Sequence, residues 1–420
     1  MTRQTSEMNR RRFLGIASAA CAAPLFLKTN VLGREGFVPP SEKLISVSIG
    51  LGNRGNEIIG NFANNPNFRV IGVCDCFRQK GESAAARVNG WYRNNDCITF
   101  EKYEDVLNRE DVDVVIVATP DHWHTKISVE ACMAGKDVFC EKPLTLTITE
   151  SRQIVAAARK YNRICSSGSQ RVMEDYGYMA PIVQAGNLGE IKEVYCGLGA
   201  PGRICYLPGQ PIPEGFDWDR WLGQAEYAPY NEERCSGNYG GGWRNYEHYG
   251  NGFLADWGAH KFGGSLYALG LDSSEPVEIL PPDGKDVQFL TMKFANGVKF
   301  YHATSGGHDI TIVGTEGEYR HSDRSVRPKP IKTVDVRRYS GGANNIVEDF
   351  GYCVKHRLRP FQDFAYGANT ALLCQLANIA YKVNRPLKWD AEKTQFVNDE
   401  QANRMVSRAQ RSPYTIPNID

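Results

Sequence analysis

The chain has 420 residues, 42% of them hydrophobic and 23% charged, and 49 basic side chains stand against 48 acidic ones for a formal charge of +1. This is the composition of an ordinary soluble globular protein whose length exceeds one comfortable hydrophobic core, which predicts two domains. The balanced charge gives no reason to expect nucleic acid or a membrane surface as a partner, and no segment beyond the N-terminal stretch is apolar for long enough to span a bilayer.

Residues 1–33 are read as lying outside the fold. Asn9-Arg10-Arg11-Arg12-Phe13-Leu14 precedes a small-residue apolar run from Gly15 to Leu27, the pattern of a twin-arginine export signal, and predicts a periplasmic protein that is exported already folded. Cys21 follows Ser18-Ala19-Ala20, a poor lipoprotein box because Ser18 stands where leucine is usual. A Pro-containing linker covers 34–43. The 12 cysteines are irregularly spaced, with neither a CxxC pair nor the histidines of a zinc site, so no metal centre is expected. Cys74, Cys76, Cys132, Cys140 and Cys165 read as buried free thiols.

From 44 to 168 strands and helices alternate, the pattern of a parallel, doubly wound sheet. An apolar run, Leu44 to Ile49, ends in Gly50-Leu51-Gly52-Asn53-Arg54-Gly55; a helical stretch covers Asn56 to Asn64, and a second apolar run closes on Asp75. In such a βαβ unit Gly50 permits the tight turn, Gly52 lets the backbone approach a pyrophosphate, Gly55 lets helix and strand pack closely, and the helix N-terminus faces the phosphates. Asp75, twenty residues past Gly55, is placed to accept ribose hydroxyls and repel a 2′-phosphate, which predicts NAD over NADP, with Arg78 nearby arguing the other way.

A helical stretch, Gln79 to Val88, and Tyr103 to Leu107 come next, and then Asp113 to Pro120 as a buried strand ending in Thr119-Pro120-Asp121-His122-Trp123-His124. A helix over Thr125 to Ala134 leads to a short strand, Asp137 to Cys140, that ends in Glu141-Lys142-Pro143. Thr147 or Thr149 begins the helix Glu150 to Lys160, and Arg163 to Ser167 is the last strand. Ligands of such sheets bind beyond the carboxyl ends of the strands, so the glycine loop, Pro120–His124 and Glu141–Pro143 are expected to converge on one crevice. The cofactor-binding candidates are Gly50, Gly52, Asn53, Arg54, Gly55, Asp75, Thr119, Pro120, His122, His124, Glu141, Lys142 and Gln170.

Composition shifts after Gly168. Residues 195–257 are dense in aromatics and glycine, including Tyr206, Trp218, Trp221, Tyr227, Tyr239, Gly240 and Trp257, as suits stacking on pyranose rings or a domain core. A helix from Asp256 to Leu269 precedes strands at Val287 to Phe294, Lys299 to Thr304 and Ile310 to Gly314; helices follow at Asn344 to Lys355 and Ala368 to Asn384, then a polar arm at 395–420. The fold class is therefore α/β, an N-terminal Rossmann domain (44–168) joined to a C-terminal α+β domain (169–394) with a largely antiparallel open sheet. Trp243, Arg244 and Tyr246, in a Gly-rich loop, and Arg171, just past the last Rossmann strand, are the substrate-facing candidates.

Four motifs, the Gly50 loop, Ala118 to His124, Cys140-Glu141-Lys142-Pro143 and Asp256-Trp257-Gly258-Ala259-His260, make the chain resemble the Gfo/Idh/MocA family (glucose-fructose oxidoreductase, inositol dehydrogenase, rhizopine catabolism) over roughly residues 43–390. The resemblance implies that Lys142 lies near the nicotinamide and the substrate hydroxyl, that Pro143 places it through a turn that is often cis, and that Asp256 and His260 supply a substrate-binding acid and the general acid/base. It also implies a dimer or tetramer formed through the open face of the second sheet. The residue chemistry agrees: Asp256 and His260, four apart, share one helix face, and a histidine with the ordinary pKa of about 6.5 suits proton transfer near neutral pH. The leading expectation is an exported NAD-dependent dehydrogenase, holding its cofactor tightly, that acts on a secondary hydroxyl of a sugar or glycoside, with C3 suggested by family habit. The alternative is an NAD-dependent glycoside hydrolase working by transient oxidation and elimination, although relatives with that chemistry often depart from Glu-Lys-Pro at the lysine, which is present here. A non-catalytic sugar-binding protein is the third reading, against which Lys142 and His260 both speak.

Overall fold

The computed structural model describes residues 38–236, 241–303, 309–327 and 331–419, so the stretch from Asn9 to Leu27 read as an export signal, Cys21, Tyr239, Gly240 and Thr304 lie outside the described residues. Pro40–Glu42 form a single 3₁₀ turn, and residues 44–420 make up one unit.

In that unit β1 (Leu44–Ile49), β2 (Phe68–Cys74), β3 (Ile98–Phe100), β4 (Val114–Val117), β5 (Asp137–Cys140) and β6 (Cys165–Ser167) form a parallel sheet in the order β3-β2-β1-β4-β5-β6. β4 and β5 are buried along their whole length, which suits a strand covered by helices on both faces. The order reverses between β1 and β4, and there the carboxyl ends open a crevice.

The second sheet contains β7 (Ile191–Gly197), β8 (Pro276–Leu280), β9 (Leu290–Phe294), β10 (Lys299–Ala303), β11 (Ile310–Gly314), β12 (Glu318–Arg320), β13 (Ser325–Arg327), β14 (Leu387–Asp390) and β15 (Gln395–Phe396), in the order β13-β12-β11-β7-β10-β9-β8-β14-β15. β7 and β10 pair in parallel and the other pairs are antiparallel. On its inner face Val194, Met292, Phe300 and Ile312 pack with Leu254, Phe262 and Leu372 from the helices Gly252–Leu269 and Phe364–Val383. The other face carries Tyr195 stacked on Tyr301 at 4.6 Å, and both hydroxyls donate to the Glu193 carboxylate. Helix Phe364–Val383 also lies against helix Ile148–Lys160, so it joins the two sheets.

Several element boundaries differ from expectation. The glycine-loop helix begins at Asn53, with Gly52 as its N-cap, rather than at Asn56. The helix expected from Thr125 begins at Asp121: Pro120 takes the N-cap, where its missing N–H is harmless, and Asp121 faces the positive dipole end. Thr147, not Thr149, caps the next helix, its hydroxyl accepting from Glu150 N. The helix expected from Asp256 begins one turn earlier at Gly252, because Leu254 and Ala255 bury against the sheet core; Asp256 is thus no N-cap, and that position belongs to Asn251.

The polar arm needs the largest correction. It adds β15 and the short helix Glu400–Asn403, then runs back to the Rossmann half, where Tyr414 and Ile416 bury beside Trp123. Arg411 donates to Gly223 O at 3.1 Å and pairs with Asp219, and Tyr414 Oη donates to Asp219 Oδ2 at 2.9 Å. Cys74, Cys132, Cys140 and Cys165 are buried free thiols and Cys76 is half-buried. Among the described residues no helix is long and apolar enough to cross a membrane, and no group of three or more His, Cys, Asp or Glu side chains is arranged to hold a metal.

Candidate active site

A cavity with about 1140 Å³ of empty space opens at the carboxyl ends of β1, β2, β4 and β5, and the three polar strand ends converge on it. Gly50, Gly52, Asn53 and Arg54 line it from the first, Thr119 and Pro120 from the second, Glu141 and Lys142 from the third, with Asp75 at the end of β2. The three glycines of the loop differ in what they do. Gly50 has φ +90° and a Cβ there would stand 2.5 Å from Thr119 N, so it must be glycine for the turn. Gly55 lies beneath the loop, where a Cβ would stand 2.0 Å from Gly50 O. At Gly52 a Cβ would meet nothing within 4 Å, and the chain itself gives no steric reason for glycine.

Asp75 braces this loop from below. Its Oδ2 accepts from Leu51 N at 2.8 Å and its Oδ1 from Phe77 N at 2.9 Å, and burial pushes its carboxyl pKa up while Lys80 pulls it down. Arg54 Nε donates to Glu141 Oε1 at 2.7 Å, tying the glycine loop to the end of β5. The Lys142–Pro143 peptide is cis. Lys142 Nζ donates to Asp256 Oδ1 at 2.7 Å and to Asp256 O at 3.1 Å, and Arg244 Nε stands 3.5 Å from the same Oδ1. Trp243 and Arg244 line the cavity, with the guanidinium 4.4 Å from the Trp243 ring centroid.

Other expected residues stand elsewhere. His122 and His124 lie behind the cavity wall because the helix that carries them starts at Asp121. His122 Nε2 is 2.9 Å from Trp221 O, and His124 sits between Pro143 O at 2.8 Å and Thr119 O at 3.0 Å. Burial pushes their pKa values down to about 3 and about 4, although the two carbonyls facing His124 pull its value up. Tyr246, 3% exposed, spends its hydroxyl on Glu233 Oε1 at 2.7 Å and packs in an aromatic cluster with Trp218, Trp221 and Tyr249. Arg171 pairs with Asp175 and lies 5.4 Å from the Trp257 ring; neither it nor Gln170, whose buried Oε1 has no partner, lines the cavity.

His260 shares the helix face of Asp256 as expected, but its acid–base state does not follow the expectation. It is 3% exposed, with Nδ1 3.0 Å from Ser169 Oγ. Burial first, then the charges of Lys142, Arg171, Arg54 and Lys261, hold its pKa well below the ordinary histidine value, so the ring is neutral at physiological pH.

Among the cavity residues that the sequence did not single out as site residues are two groups. Asp121 lies in the wall with a buried, unpartnered Oδ1; burial holds its carboxyl well above the usual pKa range, Arg244 and Lys142 pull it down, and Asp256 pushes it up. A charged residue opening a helix just past a buried strand was the signal. The second group, Phe216, Arg220, Trp221 and Cys235, forms a wall supplied by the aromatic segment. That wall is fastened beside Asp75: Phe216 stacks on Phe77 at 5.0 Å, Asp217 N donates to Cys76 O at 2.9 Å, and Arg78 N donates to Gly215 O at 2.9 Å.

The residues present fit a dinucleotide. The open space at Gly52 is a cradle for a pyrophosphate, the N-cap glycine brings no side-chain acceptor to compete for the first helical N–H groups, and Asp75 lines the same cavity. Residues 46–169 match a family model described as an oxidoreductase family, NAD-binding Rossmann fold, and residues 202–416 match the model of an oxidoreductase family C-terminal alpha/beta domain. A glycosyl hydrolase family 109 protein of Shewanella sp. (strain ANA-3) is 28% identical over 212 residues, a match that spans 44% of this chain and 44% of that protein's length. The WlbA dehydrogenase of Bordetella pertussis, solved with NADH and UDP-GlcNAcA, has a TM-score of 0.58 at 15% identity, covering 83% of this chain and 99% of that one. Myo-inositol 2-dehydrogenase of Lactobacillus plantarum has a TM-score of 0.56 at 18% identity, covering 82% and 99%. At these identities the likeness to solved structures is one of fold.

Proposed function

Since the chain belongs to the Gfo/Idh/MocA oxidoreductase family, we propose that it is an exported NAD-dependent enzyme oxidising or reducing a secondary hydroxyl of a sugar or glycoside. The observation that carries this reading is the contact of Lys142 Nζ with Asp256 Oδ1, 2.7 Å apart, beside the cavity that holds the Gly52 cradle. Bound NAD supplies the hydride acceptor for the alcohol carbon. Lys142 holds the substrate oxygen, and as the hydroxyl proton moves to Nζ, Nζ passes one of its own to Asp256 Oδ1. Arg244 steadies the Asp256 carboxylate from the other side. Neutral His260 serves as a hydrogen-bonding partner rather than as a cation. The Asp75 carboxylate supports NAD over NADP, and the wall fastened at Phe77 and Phe216 supports a tightly held cofactor. The twin-arginine pattern at Asn9 to Leu27 supports export to the periplasm in folded form, and family habit supports a dimer or tetramer.

A second reading has its own support. The curated relative is named a glycosyl hydrolase, and transient oxidation followed by elimination, water addition and re-reduction would use the same Lys142, Asp256 and cofactor cradle with no net redox change. One experiment separates the readings. The purified protein is denatured and released nucleotide identified by mass spectrometry, while the intact protein is incubated with sugars and chromogenic glycosides. Retained NAD with substrate-dependent NADH absorbance supports net redox; free aglycone without NADH supports hydrolysis. Absence of both nucleotide and NAD binding removes both readings.

A further inference from the structure

A second cavity, with about 1620 Å³ of empty space, shares no lining residue with the first. Its walls come from residues 146–148, from positions within 224–227, 247–251 and 375–382, and from the returning strap at 404–411. Two of its side chains carry unmet hydrogen-bonding capacity. Gln224 is 1% exposed, and neither its Oε1 nor its Nε2 has a partner. Arg408 donates from Nη1 to His248 O at 2.7 Å, while its buried Nε and Nη2 bond nothing.

The other cations around this cavity are answered within the chain. Lys382 pairs with Glu247 at 2.7 Å, Arg411 with Asp219, and Arg404 with Glu400 at 3.9 Å. Arg408 is bonded by no carboxylate of the described residues. Glu150 attracts the Arg408 guanidinium without hydrogen-bonding to it, and two buried donors on that side chain, with a buried unpartnered amide in the same cavity lining, are unfavourable enough to demand an occupant. The unmet atoms comprise donors, Arg408 Nε and Nη2 and Gln224 Nε2, and one acceptor, Gln224 Oε1. A neutral sugar brings no carboxylate to the open edge of the guanidinium, and a proton-free inorganic anion such as sulfate leaves the acceptor unanswered.

We infer that this cavity binds a small hydroxylated carboxylate, of the sugar-acid or hydroxy-acid class, with the carboxylate on Arg408 and Gln224 Nε2 and a hydroxyl donating to Gln224 Oε1. The planar fork of a guanidinium matches the two oxygens of a carboxylate, so lysine is no substitute.

Isothermal titration of the full chain with glucuronate, galacturonate and gluconate tests this, with glucose, acetate and sulfate as comparators. The proteins are the wild type, Gln224→Leu, Arg408→Lys and Lys142→Met, the last altered in the other cavity. At least one sugar acid is expected to bind the wild type and Lys142→Met equally, at least about 10-fold more tightly than any comparator, with a loss of about 10-fold or more in Gln224→Leu and Arg408→Lys. If Arg408→Lys fails to fold, Gln224→Leu carries the test, since its amide bonds nothing in the fold. No binding of any sugar acid overturns the inference, as does binding unchanged in Gln224→Leu or lost only in Lys142→Met.

Discussion

Alanine at Gly52 and alanine at Gly55 are expected to fail in different ways, and the difference tests the cofactor cradle directly. At Gly55 the new Cβ would stand 2.0 Å from Gly50 O and 2.9 Å from Gly50 C, where ordinary contact begins near 3.4 Å. Gly50 cannot yield, because it holds φ +90° and its own Cβ position is occupied by the backbone at Ala118 and Thr119. Loop and helix must then separate by more than an ångström, an overpacking at the upper end of the usual range, about 3 kcal/mol. Spread over the unfolding entropy of a unit this size, that lowers Tm by about 4 °C. Gly52→Ala meets nothing within 4 Å, so Tm is expected to hold within about 1 °C. Its methyl instead fills the space through which backbone reaches a pyrophosphate, and NAD affinity falls at least about 100-fold, ~2.7 kcal/mol. Thermal scans without nucleotide, paired with NAD titrations followed by quenching of Trp221 and Trp243, read the two effects separately. A Gly52→Ala protein that binds NAD like the wild type refutes the cradle, and an unchanged Tm in Gly55→Ala refutes the steric argument.

Lys142→Met leaves Asp256 to Arg244 alone and is expected to lower the rate of nicotinamide reduction by roughly 10³-fold with NAD binding retained, checked by single-turnover absorbance; Lys142→Arg does not restore it, since a guanidinium is not deprotonated in a protein and cannot relay a proton to Asp256. Asp121 has a raised carboxyl pKa, so the folded state holds its proton longer than the unfolded one, and stability contributed there falls as pH rises from the unfolded value through the folded one. Asp121→Asn therefore melts higher than the wild type at pH 8, and the gap closes towards pH 4; a gap that widens in acid contradicts the assignment. Phe216→Ala removes the ring stacked on Phe77, worth about 1 kcal/mol, and is expected to speed NADH dissociation roughly 5-fold in stopped-flow displacement while leaving Lys142 chemistry intact.

What the sequence made legible was local. Strand, glycine turn and helix at 44–64, and the polar ends of β4 and β5, follow from short-range patterning, and the crossover rule for parallel sheets brings them together. The aromatic segment was legible only as a composition. Trp218, Trp221, Trp243, Tyr246 and Tyr249 form one buried cluster, of which only Trp221 and Trp243, with the neighbouring Phe216, also face the cofactor side, and nothing in the residue types separates the two fates. His122 and His124 misled for a related reason. A histidine next to a functional strand end looks like a ligand contact, but one extra turn of helix rotates both rings against backbone carbonyls. The pKa of His260 is lowered by burial first and then by cations from three other segments, Lys142, Arg171 and Arg54, besides its neighbour Lys261, and no spacing along the chain reveals that convergence.

The return of Tyr414 and Ile416 to Trp123 also decides what can be cut from this protein. Phe364 and Ala368 enter the same cluster, so the nucleotide-binding half has part of its interior supplied by residues hundreds of positions downstream. Excised at Gly168, that half would expose this apolar surface and lose its closing strap, and as an isolated module it should aggregate rather than fold. The two halves match separate family models but form one cooperative unit: heat or denaturant should melt them in a single transition, and limited proteolysis should find no stable fragment containing the glycine loop alone.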